Sequence, residues 1–378
     1  MKETNLFKAF FESEKAGGLV LIFATLISLF LANSIFQIEY LQIWNYEIGN
    51  LSLVEWINDG LMTIFFLLIG LELEREVYIG ELSTLKKASL PLIGALGGMI
   101  IPALIYAGFN YETTTQSGVG IPMATDIAFA IGILSLLGNR VPTSLKVFLT
   151  ALAVIDDLGA IIIIAIFYTS SISLLNLGIA LGILAFLFVL NRLKVNNLIP
   201  YLIGGILMWY FMLNSGVHAS ITGVLLAFVI PFGDGSKKNI SYKLQHILHY
   251  PVAFIILPLF ALANTCIVLN SNWYEGLSHS NSIGIILGLF IGKPIGIWLF
   301  SYLGVLIGIG ILPKSLNWSS IFGAAILGGI GFTMSLFISL LAFDNNEDII
   351  NSKIAILIAS TIAAITGFIF LKFKLKRD

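Results

Sequence analysis

Two adjacent aspartates stand out because they lie in the middle of an apolar stretch. Residues 147–167 read VFLTALAVIDDLGAIIIIAIF, and the only acids among them are Asp156 and Asp157. At about 1.5 Å per residue the stretch is long enough to cross a bilayer, which puts both carboxylates near its midplane. Because one acid there costs roughly 2.5–3.5 kcal/mol, a purely structural role is a poor explanation, and we expect the pair to handle a cation or protons.

Three further polar residues lie inside apolar stretches. Thr125 and Asp126 follow each other in VGIPMATDIAFAIGILSL, and Lys293 lies near the centre of IGIILGLFIGKPIGIWLFSYLGVLI. A lysine and an aspartate buried together cost less than either alone. Neighbouring helical residues are about 100° apart, so Asp156 and Asp157 face different directions. One of them can face a cation path while the other turns to Lys293.

The composition sets the class of protein. Of the 378 residues, 58% are hydrophobic and 11% charged, whereas soluble domains are nearer 45–50% and about 25%. The net charge of −1 offers no basic surface for nucleic acid. Cys266 is the only cysteine, so neither an intramolecular disulfide nor a cysteine-based metal site is possible. We expect a polytopic membrane protein in contact with lipid, without cofactor and without nucleic acid.

Apolar windows of helical length predict an all-α protein with twelve transmembrane helices. They cover residues 16–34, 57–79, 88–108, 120–137, 145–168, 173–190, 198–213, 217–231, 247–270, 283–307, 320–342 and 352–371. We expect one polytopic domain, 1–378, with a core bundle that includes 88–168 and 283–371.

Basic residues gather on alternate loops. They are Arg75, Lys86, Lys87, Arg140, Lys146, Arg192, Lys194, Lys237, Lys238, Lys243 and Lys314, followed at the C-terminus by Lys372, Lys374, Lys376 and Arg377. Because such residues favour cytoplasmic loops, both termini are predicted to be cytoplasmic. Only Lys353 breaks the pattern. The chain lacks a transit-peptide pattern, which favours a bacterial inner membrane.

Two of the predicted helices look broken. The fourth contains Pro122 and then Thr125-Asp126, and the eleventh contains GGIG at 328–331. Each is the middle helix of three, 3–5 and 10–12, and interrupted helices in matching positions of inverted repeats point to a transporter site near the midplane. At their crossing, Asp126 would offset facing helix N-termini, and Lys293 would offset C-termini or pair with an acid.

The longest connection between predicted helices has strand character. Residues 37–56 read QIEYLQIWNYEIGNLSLVEW and predict a small β-hairpin with Asn45 as a turn candidate. Since edge strands can pair with a second copy, we expect a homodimer formed through this hairpin.

Six motifs closely resemble the NhaA-type sodium/proton antiporters, from one end of the chain to the other. They are NDGLMTIFFLLIGLELERE at 58–76, MATDIAFAIGILSLLGNRVP at 123–142, LTALAVIDDLGAIIIIAIFYT at 149–169, NSGVHASITGV at 214–224, LPLFALAN at 257–264 and IGKPIGI at 291–297. The resemblance implies two discontinuous helices crossing at mid-membrane. It also implies an electrogenic, pH-regulated secondary antiporter that exports Na⁺ or Li⁺ in exchange for external H⁺ and maintains sodium and pH homeostasis.

The resemblance also assigns residues. Asp156 and Asp157 would bind the transported Na⁺ or Li⁺ and carry protons, with Thr125 as a further candidate ligand beside Asp126 at the crossing. Lys293 would partner Asp156 in the proton-loaded state and separate from it when sodium binds. A pH-response region would comprise Glu72, Arg75, Glu76, His218, His246 and His249. Gln245 stands where the family's well-studied form has a glutamate, which leaves the pH profile open.

Two other classes remain possible from the residues alone. A sodium-coupled solute symporter could use the same broken helices, although no arginine lies near the middle of a predicted span to meet an organic anion. An intramembrane aspartyl protease could use Asp126 and Asp157, but its Tyr-Asp and Gly-x-Gly-Asp motifs are missing. His246-x-x-His249 has helical metal-ligand spacing without an acid or a cysteine beside it. We therefore expect a transporter and not an enzyme.

Overall fold

The computed structural model describes residues 2–80, 82–168 and 172–375, without the side chains of 2–14 and 85–87. The side chains of Lys86 and Lys87, together with Lys376 and Arg377, therefore lie outside the described part.

The described chain is almost entirely helical, as predicted. Its first part forms helices α1 (Lys2–Ala32) and α2 (Gln37–Trp44), strands β1 (Glu47–Ile48) and β2 (Leu51–Ser52), and helices α3 (Leu53–Glu55) and α4 (Met62–Tyr78). Its middle part forms α5 (Leu85–Asn110), α6 (Ile127–Ser135), α7 (Thr143–Phe167), α8 (Leu174–Arg192), α9 (Leu198–Leu213) and α10 (Ile221–Val229). Its last part forms α11 (Ile240–Pro251), α12 (Leu257–Asn264), α13 (Ser280–Leu287), α14 (Lys293–Leu306), α15 (Trp318–Gly328), α16 (Phe332–Ala342) and α17 (Asn346–Lys374).

Several spans combine more than one element. A 3-10 helix, Gln116–Met123, precedes α6, and π-helical turns at Trp56–Leu61, Val252–Ile256 and Gly288–Gly292 join α3 to α4, α11 to α12 and α13 to α14. Counted in this way, nine stretches of the described chain are long and apolar enough to cross a membrane, and the pair α15–α16, bent by 44°, makes a tenth. The shorter apolar helix α9 and the nine-residue helix α10 occupy the positions of the seventh and eighth predicted spans.

The predicted hairpin is much shorter than expected. Only Glu47–Ile48 and Leu51–Ser52 pair as strands, and Gly49, with φ of +71°, supplies the positive φ that a tight hairpin turn favours. The prediction was wrong for residues 37–44, which form α2. Tyr40 and Trp44 are buried, whereas Gln42 between them is exposed. A strand would place all three on one face, but a helix places only residues 40 and 44 together, so the burial pattern is that of a helix.

The ninth predicted span, 247–270, is displaced along the chain. The helical stretch runs instead from Ile240 to Asn264. The lysine, glutamine and two histidines of α11 lower the hydropathy of this helix. Its first turns were therefore not recognised as part of an apolar span. At the other end, Thr265 Oγ1 donates to the carbonyl of Ala261 and residues 265–270 are not helical.

The first helices of the two predicted repeats pack antiparallel through glycines. A Cβ built on Gly97 of α5 would overlap the carbonyl oxygen of Gly296 in α14, and the reverse also holds. Gly304 lies against Ile93, and Gly284 lies against Tyr106 at the other end of α5. Residues of increasing number along α5 therefore contact residues of decreasing number along α13–α14. The helices are antiparallel, as inverted repeats require. Glycines allow the two backbones to approach this closely.

The apolar interior has two parts. A large cluster fills the space among α1, α4, α5, α7 and the helices from α12 to α17. A smaller cluster joins α8 and α9 to α10 and to one face of α4. The helices that carry Asp126, Asp156 and Lys293 all belong to the larger part.

Candidate functional site

The two broken helices meet through their backbones. Residues 124–126, between the 3-10 helix Gln116–Met123 and α6, are not helical, and neither are the residues between α15 and α16. The Asp126 N–H donates to the Ile330 carbonyl at 2.7 Å, and Ser335 Oγ donates to the Ile121 carbonyl at 2.7 Å. Pro122 lacks an N–H to continue a regular helix, and the glycines around Ile330 favour the second break. The predicted crossing of helices 4 and 11 is therefore present.

Asp126 joins the two half-helices that begin at this crossing. Its Oδ1 accepts from the Phe129 amide at 2.9 Å, and its Oδ2 accepts from Thr333, at 3.0 Å from the amide and at 2.5 Å from the hydroxyl. One carboxylate thus caps the N-termini of both α6 and α16, where a negative charge is favoured. The structure brings Thr333 to Asp126, a partner that sequence reasoning missed, although a threonine just after the second break was a signal for it.

A buried lysine meets the first of the adjacent acids. Lys293 is the first residue of α14, directly after the π-helical turn Gly288–Gly292, and such turns are frequent at functional sites. Its Nζ lies 2.5 Å from Asp156 Oδ2, with both side chains fully buried, and it also donates to the hydroxyl of Thr125. The contact predicted between Lys293 and Asp156 is present, in an interior where an unpaired charge is costly.

The Thr125 hydroxyl lies at the centre of this group. It is 2.7 Å from Asp156 Oδ2 and 2.8 Å from the carbonyl oxygen of Gly328, the last residue of α15. Its single proton can serve either acceptor, while the hydroxyl oxygen accepts from Lys293. Thr125 therefore links the C-terminal end of a half-helix to the acid and the lysine.

Asp157 is buried without taking part in that group. It is 1% exposed, and its charged neighbours are Asp156, Asp126, Lys293 and Glu72. Oδ1 of Asp156 and Oδ1 of Asp157 accept no hydrogen bond within the described part of the chain. Each acid therefore has one oxygen free to bind a proton or a cation. Glu72, predicted in the pH-response region, lies on α4, which contacts the helix that carries Asp157.

Other predicted pH-response residues lie where α4 packs against α11. The Arg75 guanidinium is 4.8 Å from the centre of the Tyr242 ring, and this ring stacks on His246 at 6.1 Å. Arg75 and His246 are therefore joined through an aromatic residue that sequence reasoning did not single out. Glu76 lies in the same last turn of α4, and His249 lies one turn beyond His246 on α11.

His218 lies at the opposite end of the molecule from that cluster. Helices α4 and α10 run in parallel, because Gly223 lies against Thr63 while the ring of Tyr78 stacks on that of Phe232. Since His218 precedes α10 and Arg75 is near the end of α4, a whole helix length separates them. The structure does not bring the predicted set together as one cluster.

The described side chains contain no group of three or more His, Cys, Asp or Glu residues that could hold a metal ion. The oxygens that the site could offer a cation are those of the two adjacent carboxylates and of neutral groups such as the Thr125 hydroxyl. Hard cations such as Na⁺ prefer oxygen ligands of this kind.

Comparisons with known proteins identify the family. Residues 8–371 match the family model described as Na⁺/H⁺ antiporter 1. The chain is 68% identical to Na⁺/H⁺ antiporter NhaA 1 of Flavobacterium johnsoniae, over 99% of this chain and 98% of that protein. It is 63% identical to Na⁺/H⁺ antiporter NhaA of Cytophaga hutchinsonii, over 100% of this chain and 97% of that protein.

A solved structure shares the fold at low sequence identity. The sodium proton antiporter of Methanocaldococcus jannaschii superposes with a TM-score of 0.53 at 18% identity, over 99% of both chains. With a family model across nearly the whole chain and relatives of high identity over their full lengths, the protein belongs to the NhaA-type Na⁺/H⁺ antiporter family.

Proposed function

We propose that the protein exchanges Na⁺ or Li⁺ for external H⁺, with Asp157 and Asp156 as the groups that hold the cation and the protons in turn. The observation that carries the proposal is the buried cluster at the crossing of two broken helices, where Lys293 holds one oxygen of Asp156 and each acid keeps its Oδ1 free. The relatives named above are exchangers, and none of their names describes a symporter or an enzyme.

Competition for the same carboxylates couples the two fluxes. A protonated Asp157 cannot bind Na⁺, so proton loss must precede cation binding. A cation placed between the two acids would compete with Lys293 for Asp156, which would release the lysine from its partner. Because the two acids and the lysine offer more than one proton-carrying group, the exchange can move net charge, which makes it electrogenic.

Exposure of the site to alternate sides requires one part of the protein to move against the other. We assign the moving part to the core bundle, 88–168 and 283–371, and the other part to α8, α9 and α10 with the face of α4 they cover. The apolar cluster that α8 and α9 form with α10 and α4 supports this division. Helices α10 and α4 also contribute to the larger cluster, for example through Ile221 and Val224, so they form the boundary along which the two parts would move.

Replacement of Asp157 tests the role of the acids. In everted membrane vesicles, addition of Na⁺ or Li⁺ should release protons from wild type and not from Asp157→Asn, which keeps the size of the side chain and removes its charge. Asp344→Asn, an exposed acid, is the matched control and should behave as wild type. Full activity of Asp157→Asn at equal protein amounts would refute the assignment, and potassium addition gives the baseline for ion selectivity.

Regulation by pH is assigned to the contact between α4 and α11. The stack of Arg75, Tyr242 and His246 supports this, because Tyr242 connects a charged side chain of α4 to an imidazole of α11. We expect Tyr242→Leu to shift the pH profile of exchange, and Tyr274→Leu, an exposed tyrosine, to leave it unchanged. An unaltered profile in Tyr242→Leu would contradict the assignment.

We further propose that the protein spans a bacterial inner membrane with both termini in the cytoplasm. The alternation of basic loops supports this orientation. In a Cys266→Ser background, a cysteine introduced at Tyr46 should react with an impermeant thiol reagent added to whole cells, and one at Lys238 should not. The reverse labelling pattern would invert the topology.

The β1–β2 hairpin is proposed to mediate a homodimer. Ile48 in β1 is 49% exposed and Tyr46 just before it is 68% exposed, and within the described chain no third strand pairs with the hairpin. A Gly-Ser replacement of residues 46–52 tests this without touching the buried Tyr40 and Trp44. The mass of the detergent-solubilised protein should fall to that of a monomer, and an unchanged mass would contradict the proposal.

A further inference from the structure

A serine on α17 binds the second broken helix at its break. Ser360 Oγ accepts a hydrogen bond from the amide of Phe332, the first residue of α16, at 3.2 Å. Ser360 is 2% exposed, and it lies near the middle of α17. The first amides of a helix have no partner inside the helix, so the hydroxyl satisfies a buried donor that would otherwise have none.

Ser360 and Asp156 lie in corresponding helices of the two predicted repeats. In the first repeat, the helix after the broken one carries Asp156, whose Oδ2 meets Thr125 at the first break. In the second repeat, the helix after the broken one carries Ser360, which meets Phe332 at the second break. An uncharged hydroxyl therefore stands where the first repeat has its acid. Only one of the two repeats presents a carboxylate to its break.

The effect of Ser360 reaches the acids through Asp126. The residue after Phe332 is Thr333, whose amide and hydroxyl both donate to Asp126. Asp126 is in turn the chain neighbour of Thr125, which contacts Asp156. A shift at the start of α16 would thus move Asp126 and the threonine beside it.

We propose that Ser360 is a positioning residue for cation exchange, which holds the start of α16 so that Asp126 and Thr125 stay aligned with Asp156. This rests on the proposed exchange at the two adjacent acids. Without the hydroxyl, the Phe332 amide would lose its acceptor. It would then compete for Asp126 with the amide of the next residue, Thr333. Buried donors do not remain unsatisfied at no cost.

The test compares Ser360→Ala, Ser360→Thr and Thr361→Ala in reconstituted vesicles at one pH. Thr361 is exposed and donates to the Leu357 carbonyl of its own helix, so it is a matched control on the same turn of α17. We expect Ser360→Ala to raise the KM for Na⁺ about three- to tenfold with a smaller change in maximal rate, because misalignment of binding groups acts on binding first. Ser360→Thr keeps the hydroxyl and should retain a KM near that of wild type.

A role in folding alone predicts a different outcome. It would lower the amount of protein in the membrane or its thermal stability and leave the KM of the remaining protein unchanged, and that result would overturn the proposal. If Ser360→Ala does not accumulate, Ser360→Cys provides the same comparison, and failure of both to accumulate would likewise assign the residue to folding. If neither the wild-type protein nor Thr361→Ala exchanged Na⁺ for H⁺ in the vesicles, the proposed function itself would be refuted.

Discussion

Replacement of Lys293 by methionine tests how the buried charges depend on each other. The change keeps most of the side-chain length and removes the ammonium that lies 2.5 Å from Asp156 Oδ2. Asp156 would keep only the hydroxyl of Thr125 as a donor, since its Oδ1 has no partner within the described residues. Loss of one partner of a buried pair costs about 3–5 kcal/mol. We expect the lower end of that range, because Asp156 can bind a proton and so avoid remaining charged.

The double variant Lys293→Met with Asp156→Asn separates this effect from a loss of packing. With both charges removed, no ion remains unpaired, and replacement of a whole buried pair is often close to neutral. We expect the double variant to be more stable than either single variant. The control is Lys238→Met in an exposed loop, which should stay within about 0.5 kcal/mol of wild type.

The measurement is the free energy of unfolding of the purified protein, from SDS titration in mixed micelles followed by tryptophan fluorescence. The reasoning would be refuted if Lys293→Met were as stable as wild type. It would also be refuted if the double variant lost the sum of the two single losses, since additivity is the behaviour of sites that do not interact.

Three further substitutions test the crossing and the helix packing around it. Thr125→Val removes the hydroxyl between Asp156 and Lys293, so the KM for Na⁺ measured in vesicles should rise about tenfold while Thr125→Ser stays near wild type; equal KM values would contradict this. Asp126→Ala removes the shared cap of α6 and α16 and should lower the free energy of unfolding by about 1–3 kcal/mol, whereas no loss would show that the caps are dispensable. Gly97→Ala places a methyl group against the facing backbone and should lower the free energy of unfolding by about 1–3 kcal/mol. Gly108→Ala on the same helix, with nothing within 4 Å of the new Cβ, should leave it unchanged. Similar melting temperatures for the two variants would argue against close packing.

Much of the architecture could be predicted because water and lipid impose it on the sequence. Apolar length and alternate basic loops predicted twelve segments, and the proline before Thr125 and the glycines at 328–331 indicated the two breaks. Lys293 and Asp156 could be paired in advance because a membrane interior leaves a buried lysine few partners. These predictions depend on the free-energy cost of burying polar and charged groups in a membrane, which applies whatever the local contacts are.

The missed features depend on contacts between residues distant in sequence. The cap that Asp126 provides for α16 joins residues 207 apart in the sequence. The hydrogen bond from Phe332 to Ser360 joins residues 28 apart, and a serine in an apolar helix gives no sign of its partner. Helix α2 was missed because its residues alternate well enough for a strand, and only the exposure of Gln42 between the buried Tyr40 and Trp44 distinguishes the helix. The π-helical turn before Lys293 has no sequence signature of its own.

The most direct test of the central claim is proton release on cation binding by the purified protein. In weakly buffered detergent solution, addition of Na⁺ should release protons together with saturable heat of binding, and both signals should vanish in Asp157→Asn while Asp344→Asn retains them. This follows because the cation and the protons are proposed to occupy the same carboxylates. Saturable Na⁺ binding without proton release, or undiminished binding and release in Asp157→Asn, would contradict the account.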